Sequence, residues 1–301
     1  MQSVYAMITS NADDLIREEK FLKLSIQKLL DLYVLQLQLI VEVQKLAAQK
    51  IEISKKKHLA TKEELNPNTK FIENEAILNL VNSTSFVTFK NDNNINNWEL
   101  DSEYVKIIWE KLEKSDLYKN YLSTSNSSFK EDKAFVQDFF KKIIAPEDKL
   151  SEYYEDQNIS WLDDIPFVNT WIVRTLSKLK QNKPFVLDRL YKDDDDQKFV
   201  LELFRKVILH HTAYDEDIAK KTPNWEADRI ADIDMILIKM AITEFLKFPS
   251  IPVRVTINEY IEISKDYSTN KSGYFINGVL DKLSREFTND KRLTKIGRGL
   301  L

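Results

Sequence analysis

Two stretches near the C-terminus decide how this chain folds: Ile251-Pro252-Val253-Arg254-Val255-Thr256-Ile257-Asn258-Glu259-Tyr260-Ile261-Glu262-Ile263-Ser264-Lys265 and, after a short polar turn, Lys271-Ser272-Gly273-Tyr274-Phe275-Ile276-Asn277-Gly278-Val279-Leu280-Asp281. In both, apolar side chains recur three and four residues apart, the spacing that lines up one face of a helix. Ile257, Ile261 and Ser264 share a face, as do Phe275, Val279 and Leu283, so the pair can close as a hairpin over the helix before it. Gly278 falls inside the second helix at a cost of about 1 kcal/mol relative to alanine, and close approach of a neighbouring helix is the expected compensation.

The same periodicity extends upstream. Stops at Pro223, at Pro249 and Pro252, and at the Ser268–Asn270 turn divide the last third into helices over about 195–213, 226–247, 252–267 and 271–287. Further back, helices are expected over 101–122 and 129–144, and over 163–180 opened by Asp163-Asp164-Ile165-Pro166, with a short one near 70–82. A long one over 13–57 follows the capping sequence Ser10-Asn11-Ala12-Asp13. Its stripe of Leu22, Ile26, Leu29, Tyr33, Leu37, Ile40, Ala47 and Ile51 predicts a single buried face. Glycine occurs only four times in 301 residues, at 273, 278, 297 and 299. Tight hairpins need glycine, so the fold class expected is all-α.

Glycine scarcity also excludes function classes. Dinucleotide fingerprints, phosphate-cradling loops, methyltransferase cofactor loops and nucleophile elbows all place glycine at fixed offsets, and none can be written here. The chain has no cysteine and three histidines, so thiolate zinc sites and cysteine nucleophiles are out. His210 and His211 are adjacent, about 100° apart on a helix, and cannot both ligate one ion. The acidic run Asp193–Asp196 reads as a helix start favoured by the macrodipole. The expectation is a protein with no nucleotide, flavin or metal and no catalytic activity. Its net charge is -4, and no apolar run approaches the roughly 18 residues of a membrane span, which points to the cytoplasm.

The C-terminal stretches resemble the NusB family of transcription antitermination factors. The run Tyr274-Phe275-Ile276-Asn277-Gly278-Val279-Leu280-Asp281 is similar to the family's lysine-phenylalanine-valine-asparagine-glycine-valine-leucine-aspartate hallmark, and Ile257-Asn258-Glu259 to its isoleucine-asparagine-glutamate. The helix Ile233–Phe245 resembles the family helix that precedes them, and Met1-Gln2-Ser3-Val4-Tyr5-Ala6-Met7 resembles the end of the family's first helix. This implies three parts. Residues 1–190 hold the first-helix remnant and a large helical extension, 191–288 the NusB-like helical domain, and 289–301 a basic tail.

The resemblance further implies RNA recognition and partner docking without chemistry: binding of boxA-type single-stranded RNA together with the ribosomal protein NusE, within the transcription elongation complex and away from membranes. Matching positions assign Gln2, Tyr5, Asp234, Lys271, Ser272, Tyr274, Phe275 and Asn277 to that surface. The types suit the task, since Tyr and Phe stack on unpaired bases, Asn and Ser bond to base edges and Lys meets phosphate. Lys271 stands where an acidic residue is common in the family, which alters any partner contact there. The family's arginine-rich segment would fall before Met1, so weak RNA binding by the chain alone is expected. Two other readings stay open: a helical protein-protein adaptor that lost RNA binding, and the RNA-binding module of a methyltransferase, which the glycine count argues against.

Overall fold

The computed structural model describes residues 1–10, 12–222 and 230–300. It contains helices and no strand among them. In chain order these are α1 (Gln2–Thr9), α2 (Leu15–Lys55), α3 (Lys62–Leu65), α4 (Glu75–Val81), α5 (Thr84–Asp92), α6 (Asn97–Leu100), α7 (Ser102–Lys114), α8 (Asp116–Tyr121), α9 (Phe129–Phe139), α10 (Asp148–Gln157), α11 (Trp161–Lys178), α12 (Asp194–His210), α13 (Asp215–Lys221), α14 (Asp232–Lys247), α15 (Val253–Tyr267) and α16 (Ser272–Asn289). The all-α expectation holds. The chain divides into two compact units, one of Leu24–Leu190 and a discontinuous one of Met1–Lys23 with Tyr191–Leu301. The discontinuous unit joins α1 to the C-terminal segment.

In the unit of residues 24–190, the core is built around α2. That helix runs 41 residues, about 60 Å at 1.5 Å per residue. Asp14 Oδ1 accepts from Arg17 N at 3.0 Å at its start, so the cap sits beyond Ser10, and Asn11 of the expected capping sequence lies outside the described residues. The single-stripe reading needs correcting: residues 31–41 are buried on every side, because the shorter helices of this unit pack around α2. Buried Gln44 donates to the Ile72 carbonyl at 2.8 Å and Trp98 Nε1 to the Leu35 carbonyl at 2.8 Å, as buried polar groups require. By length and hydropathy alone α2 would suffice to cross a membrane, but 67% of its most apolar window is buried within the protein. It is a core helix. The expected 101–122 helix breaks at Ser115, whose hydroxyl accepts from Tyr118 N at 3.1 Å and starts α8.

The discontinuous unit closes over a second core, with Val4 and Met7 of α1, Phe204 and Val207 of α12, Leu237, Ala241 and Phe245 of α14, Tyr260 of α15 and Ile276, Leu280, Leu283 and Phe287 of α16 buried together. Arg205 grips Glu19 with Nε and Nη2 at 2.9 and 2.6 Å, tying its two chain segments. The α14 start differs from the expected 226–247, of which residues 226–229, like Pro223, lie outside the described residues. Asp193 caps α12 by accepting from Asp195 N and Asp196 N at 3.1 and 3.2 Å, the helix-start role expected of the acidic run. His210 ends α12 and His211 opens a 3-10 turn, both half-buried. The basic tail is docked: Arg292 holds Asp217 with two bonds of 3.0 and 2.7 Å, and Lys295 donates to the Glu244 and Phe248 carbonyls.

Candidate nucleic-acid interface

The hairpin of α15 and α16 over α14 forms as expected, but its inward residues need a closer account. The buried positions of α15 are Thr256, Tyr260 and Ser264. Glu244 of α14 lies beneath them, accepting from Thr256 Oγ1 at 2.5 Å and Tyr260 Oη at 3.3 Å. Burial raises the Glu244 pKa, with both hydroxyls acting against the rise.

The turn between the two helices is held by a polar chain that includes two of the sequence-predicted residues. Asp234, in the first turn of α14, is buried and its Oδ1 accepts from Ser268 Oγ at 2.6 Å. Ser268 Oγ lies 3.0 Å from Ser272 Oγ, and Ser272 Oγ also accepts from Thr269 N at 3.2 Å and lies 2.8 Å from Thr269 Oγ1. Ser272 is buried too. Both side chains therefore face into the protein, where they fix the turn. Ser268 and Thr269 were missed by sequence reasoning. A Ser-Thr pair followed three residues later by serine at a helix start was the available signal.

The remaining predicted residues divide by exposure. Lys271, Tyr274 and Asn277 are exposed, Tyr274 at 87%. Gln2 of α1 is exposed, whereas Tyr5 and Phe275 are half-buried and pack on the core of this unit. At 100° per residue, Lys271, Tyr274, Asn277, Gly278, Lys282 and Arg285 fall within an arc of about 140° on α16, and all six are exposed. Lys282 and Arg285 were not singled out in the sequence, although counting three and four residues onward from Gly278 finds them. Arg285 Nη2 pairs with Asp281 Oδ2 at 2.8 Å. The face thus offers a ring, an amide and cations in one row along the helix, and only Lys271 and Tyr274 lie at its N-terminal end, where the dipole favours anions.

Gly278 corrects an expectation. A Cβ built there would meet nothing within 4 Å, so among the described residues no helix approaches it closely. Of the two glycines in α16, Gly273 is the one in contact, with Ile261 Cγ2 and Ser264 Oγ each 3.5 Å from its notional Cβ.

Among the described residues no group of three histidine or acidic side chains gathers as metal ligands would.

Residues 170–285 match the model of the NusB family. The chain is 45% identical over 112 residues to the transcription antitermination protein NusB of Salinibacter ruber, covering 37% of this chain and 70% of that one. The chain belongs to the NusB family. Similar proteins of the same name from Chloroherpeton thalassium and Methylacidiphilum infernorum are 39% and 34% identical over 122 and 123 residues, which is 40% and 38% of this chain and 58% and 86% of theirs. No solved structure matches. The matched lengths are far shorter than 301 residues, so most of this NusB-family chain lies outside the similarity to these relatives.

Proposed function

We propose that this protein is a non-enzymatic cytoplasmic transcription antitermination factor that binds boxA-type single-stranded RNA of nascent ribosomal RNA together with NusE. The carrying observation is the exposed row Lys271, Tyr274, Asn277, Gly278, Lys282 and Arg285 on α16. Tyr274 is a large aromatic ring at 87% exposure, suited to stacking on a base, which is sequence-tolerant and contributes about 1–3 kcal/mol. Asn277 offers a donor and an acceptor to a base edge. Lys271 and Lys282 supply phosphate contacts, and Gly278 lets a strand approach the helix backbone.

Within this reading the predicted residues take different roles. Lys271, Tyr274, Asn277 and Gln2 meet RNA or partner directly. Phe275 and Tyr5 support that surface from the core edge. Asp234 and Ser272 hold the turn that presents it. The test is titration of labelled boxA-type RNA at several salt concentrations with and without NusE. Weak binding alone and a strong rise with NusE are expected. Equal, weak, sequence-independent binding in both cases refutes the proposal and favours an adaptor that binds no RNA.

A further inference from the structure

The segment 174–189 is strongly basic within an acidic protein: Arg174, Lys178, Lys180, Lys183 and Arg189 against the single carboxylate Asp188. It comprises the end of α11 and the loop after it, in the unit of residues 24–190. Lys178, Lys180 and Lys183 are exposed and together line one cavity of about 190 Å³, with Pro184, Phe185 and Val186 as its apolar part. Asp188 also lines it, but its Oδ2 accepts from Trp171 Nε1 at 2.8 Å and from Thr175 Oγ1 at 3.5 Å. Among the described residues none of the five cations pairs with a carboxylate.

Local structure does not account for these lysines. A helix C-terminus attracts cations, yet the final carbonyls of α11 are served by Lys133, whose Nζ donates to the Ser177 and Leu179 oxygens at 3.1 and 3.3 Å. The loop is fixed by other residues. Asn79 donates to the Lys180 carbonyl at 3.2 Å and accepts from Phe185 N at 2.7 Å. Ser85 Oγ accepts from Leu187 N at 2.9 Å, and Gln181 donates to Glu75 at 3.0 Å. Phe185 is buried edge-on against Phe86. Asn182 takes a positive φ of 58°, a conformation asparagine tolerates, to turn the chain. A loop fixed by these contacts therefore lines one hollow with three exposed lysines that, among the described residues, make no ion pair, and a cluster of one sign of charge attracts a polyanion.

We infer that Lys178, Lys180 and Lys183 form a second RNA-binding site, which holds the phosphodiester backbone of a single strand. This rests on the RNA-binding reading proposed above and extends the contact to the unit of residues 24–190. Backbone contacts of this kind strengthen binding without reading sequence.

The test uses the full chain with NusE, comparing wild type, the triple variant K178Q/K180Q/K183Q and the double variant K271Q/Y274A. Binding to labelled boxA-type RNA and to an unrelated single strand is measured across a salt series, with poly-glutamate as competitor. The triple variant should melt as wild type does. On both RNAs it should bind more weakly, with a salt slope shallower by about 2, from about 0.7 per lost phosphate contact on single strands. An unchanged slope in the triple variant, with RNA binding lost in the double variant, overturns this inference and leaves the α16 reading intact. Loss in the triple and none in the double supports the lysine site and refutes the α16 reading. Binding of neither RNA by wild type refutes both, and poly-glutamate competing as well as RNA shows an acidic-protein site instead.

Discussion

Asp234→Ala separates a residue that touches a ligand from one that builds the surface. Asp234 is 6% exposed and accepts from Ser268 Oγ at 2.6 Å. A hydrogen bond to an ionised acceptor contributes about 1.5–3 kcal/mol. Ser268 can turn part of that toward Ser272 Oγ, 3.0 Å away, so the lower end applies. A carboxylate in the first turn of α14 adds about 0.3–1 kcal/mol through the helix dipole. The expected loss is about 2 kcal/mol, which for a unit of this size is a fall of roughly 6–10 °C in its melting transition. Amide exchange across 268–272 should speed up in parallel, because the anchor joining the turn to α14 is gone. Asp234→Asn keeps shape and an acceptor and should recover half or more of the loss. RNA affinity should fall in Asp234→Ala only as far as the turn loosens. Wild-type melting and exchange together with abolished RNA or NusE binding would show that the carboxylate acts outward on a ligand, and the inward assignment would be wrong.

Three further substitutions test neighbouring claims. Tyr274→Ala removes an exposed ring and should leave the melting temperature unchanged while weakening boxA-type RNA binding by about 5- to 150-fold, the equivalent of about 1–3 kcal/mol of stacking; unchanged affinity would remove the ring from the interface. Gly278→Ala meets open space and should raise stability by about 0.5–1 kcal/mol, whereas a drop in melting temperature would reveal a neighbour at that position. Glu244 has a raised pKa from burial, so its contribution is present below the ordinary carboxylate value and is lost as pH rises through the raised one. Glu244→Gln should therefore gain on wild type as pH goes from about 4 to 7, and a pH-independent difference in melting temperature would show that Glu244 does not titrate there.

What could be read from the sequence follows from which interactions are local. Helix ends at Lys178, His210, Tyr267 and Asn289 fall within a few residues of the expected positions, because caps, prolines and polar turns act over a few residues. The burial of residues 31–41 of α2 on every side, and of Gln44 beyond them, did not follow from its periodicity, since Gln36, Gln38 and Gln44 look solvent-facing until α4, α6, α9 and α11 supply the rest of that core. Short helices such as α5 and α6 lack enough turns to show a period at all. The candidate interface was half legible: motif matching pointed to the segment of α16 that carries the exposed row, but a motif does not say which side of a helix faces water. Ser272 and Tyr274 are two residues apart in the same motif and point, respectively, into the turn and out to solvent.

The segment between the two pieces of the discontinuous unit also bears on how that unit holds together. Its two pieces meet through Glu19 and Arg205, 186 residues apart in sequence, and through Val4 and Met7 in the same core as Phe204 and Leu237. Closing a flexible loop of that length costs about 3 kcal/mol more than closing one of a few residues. If residues 24–190 are already folded, the chain to be closed is no longer flexible and that cost shrinks. Their own core, with Leu32, Tyr33, Val34, Leu35 and Leu37 buried amid Phe71, Trp98, Phe139 and Ile172, draws on α2 and its neighbours without residues from the discontinuous unit. Folding of residues 24–190 first is thus the route of least entropic cost. Contacts such as Arg205 with Glu19, which bring α1 and the start of α2 to α12, then close the unit that carries the proposed RNA face.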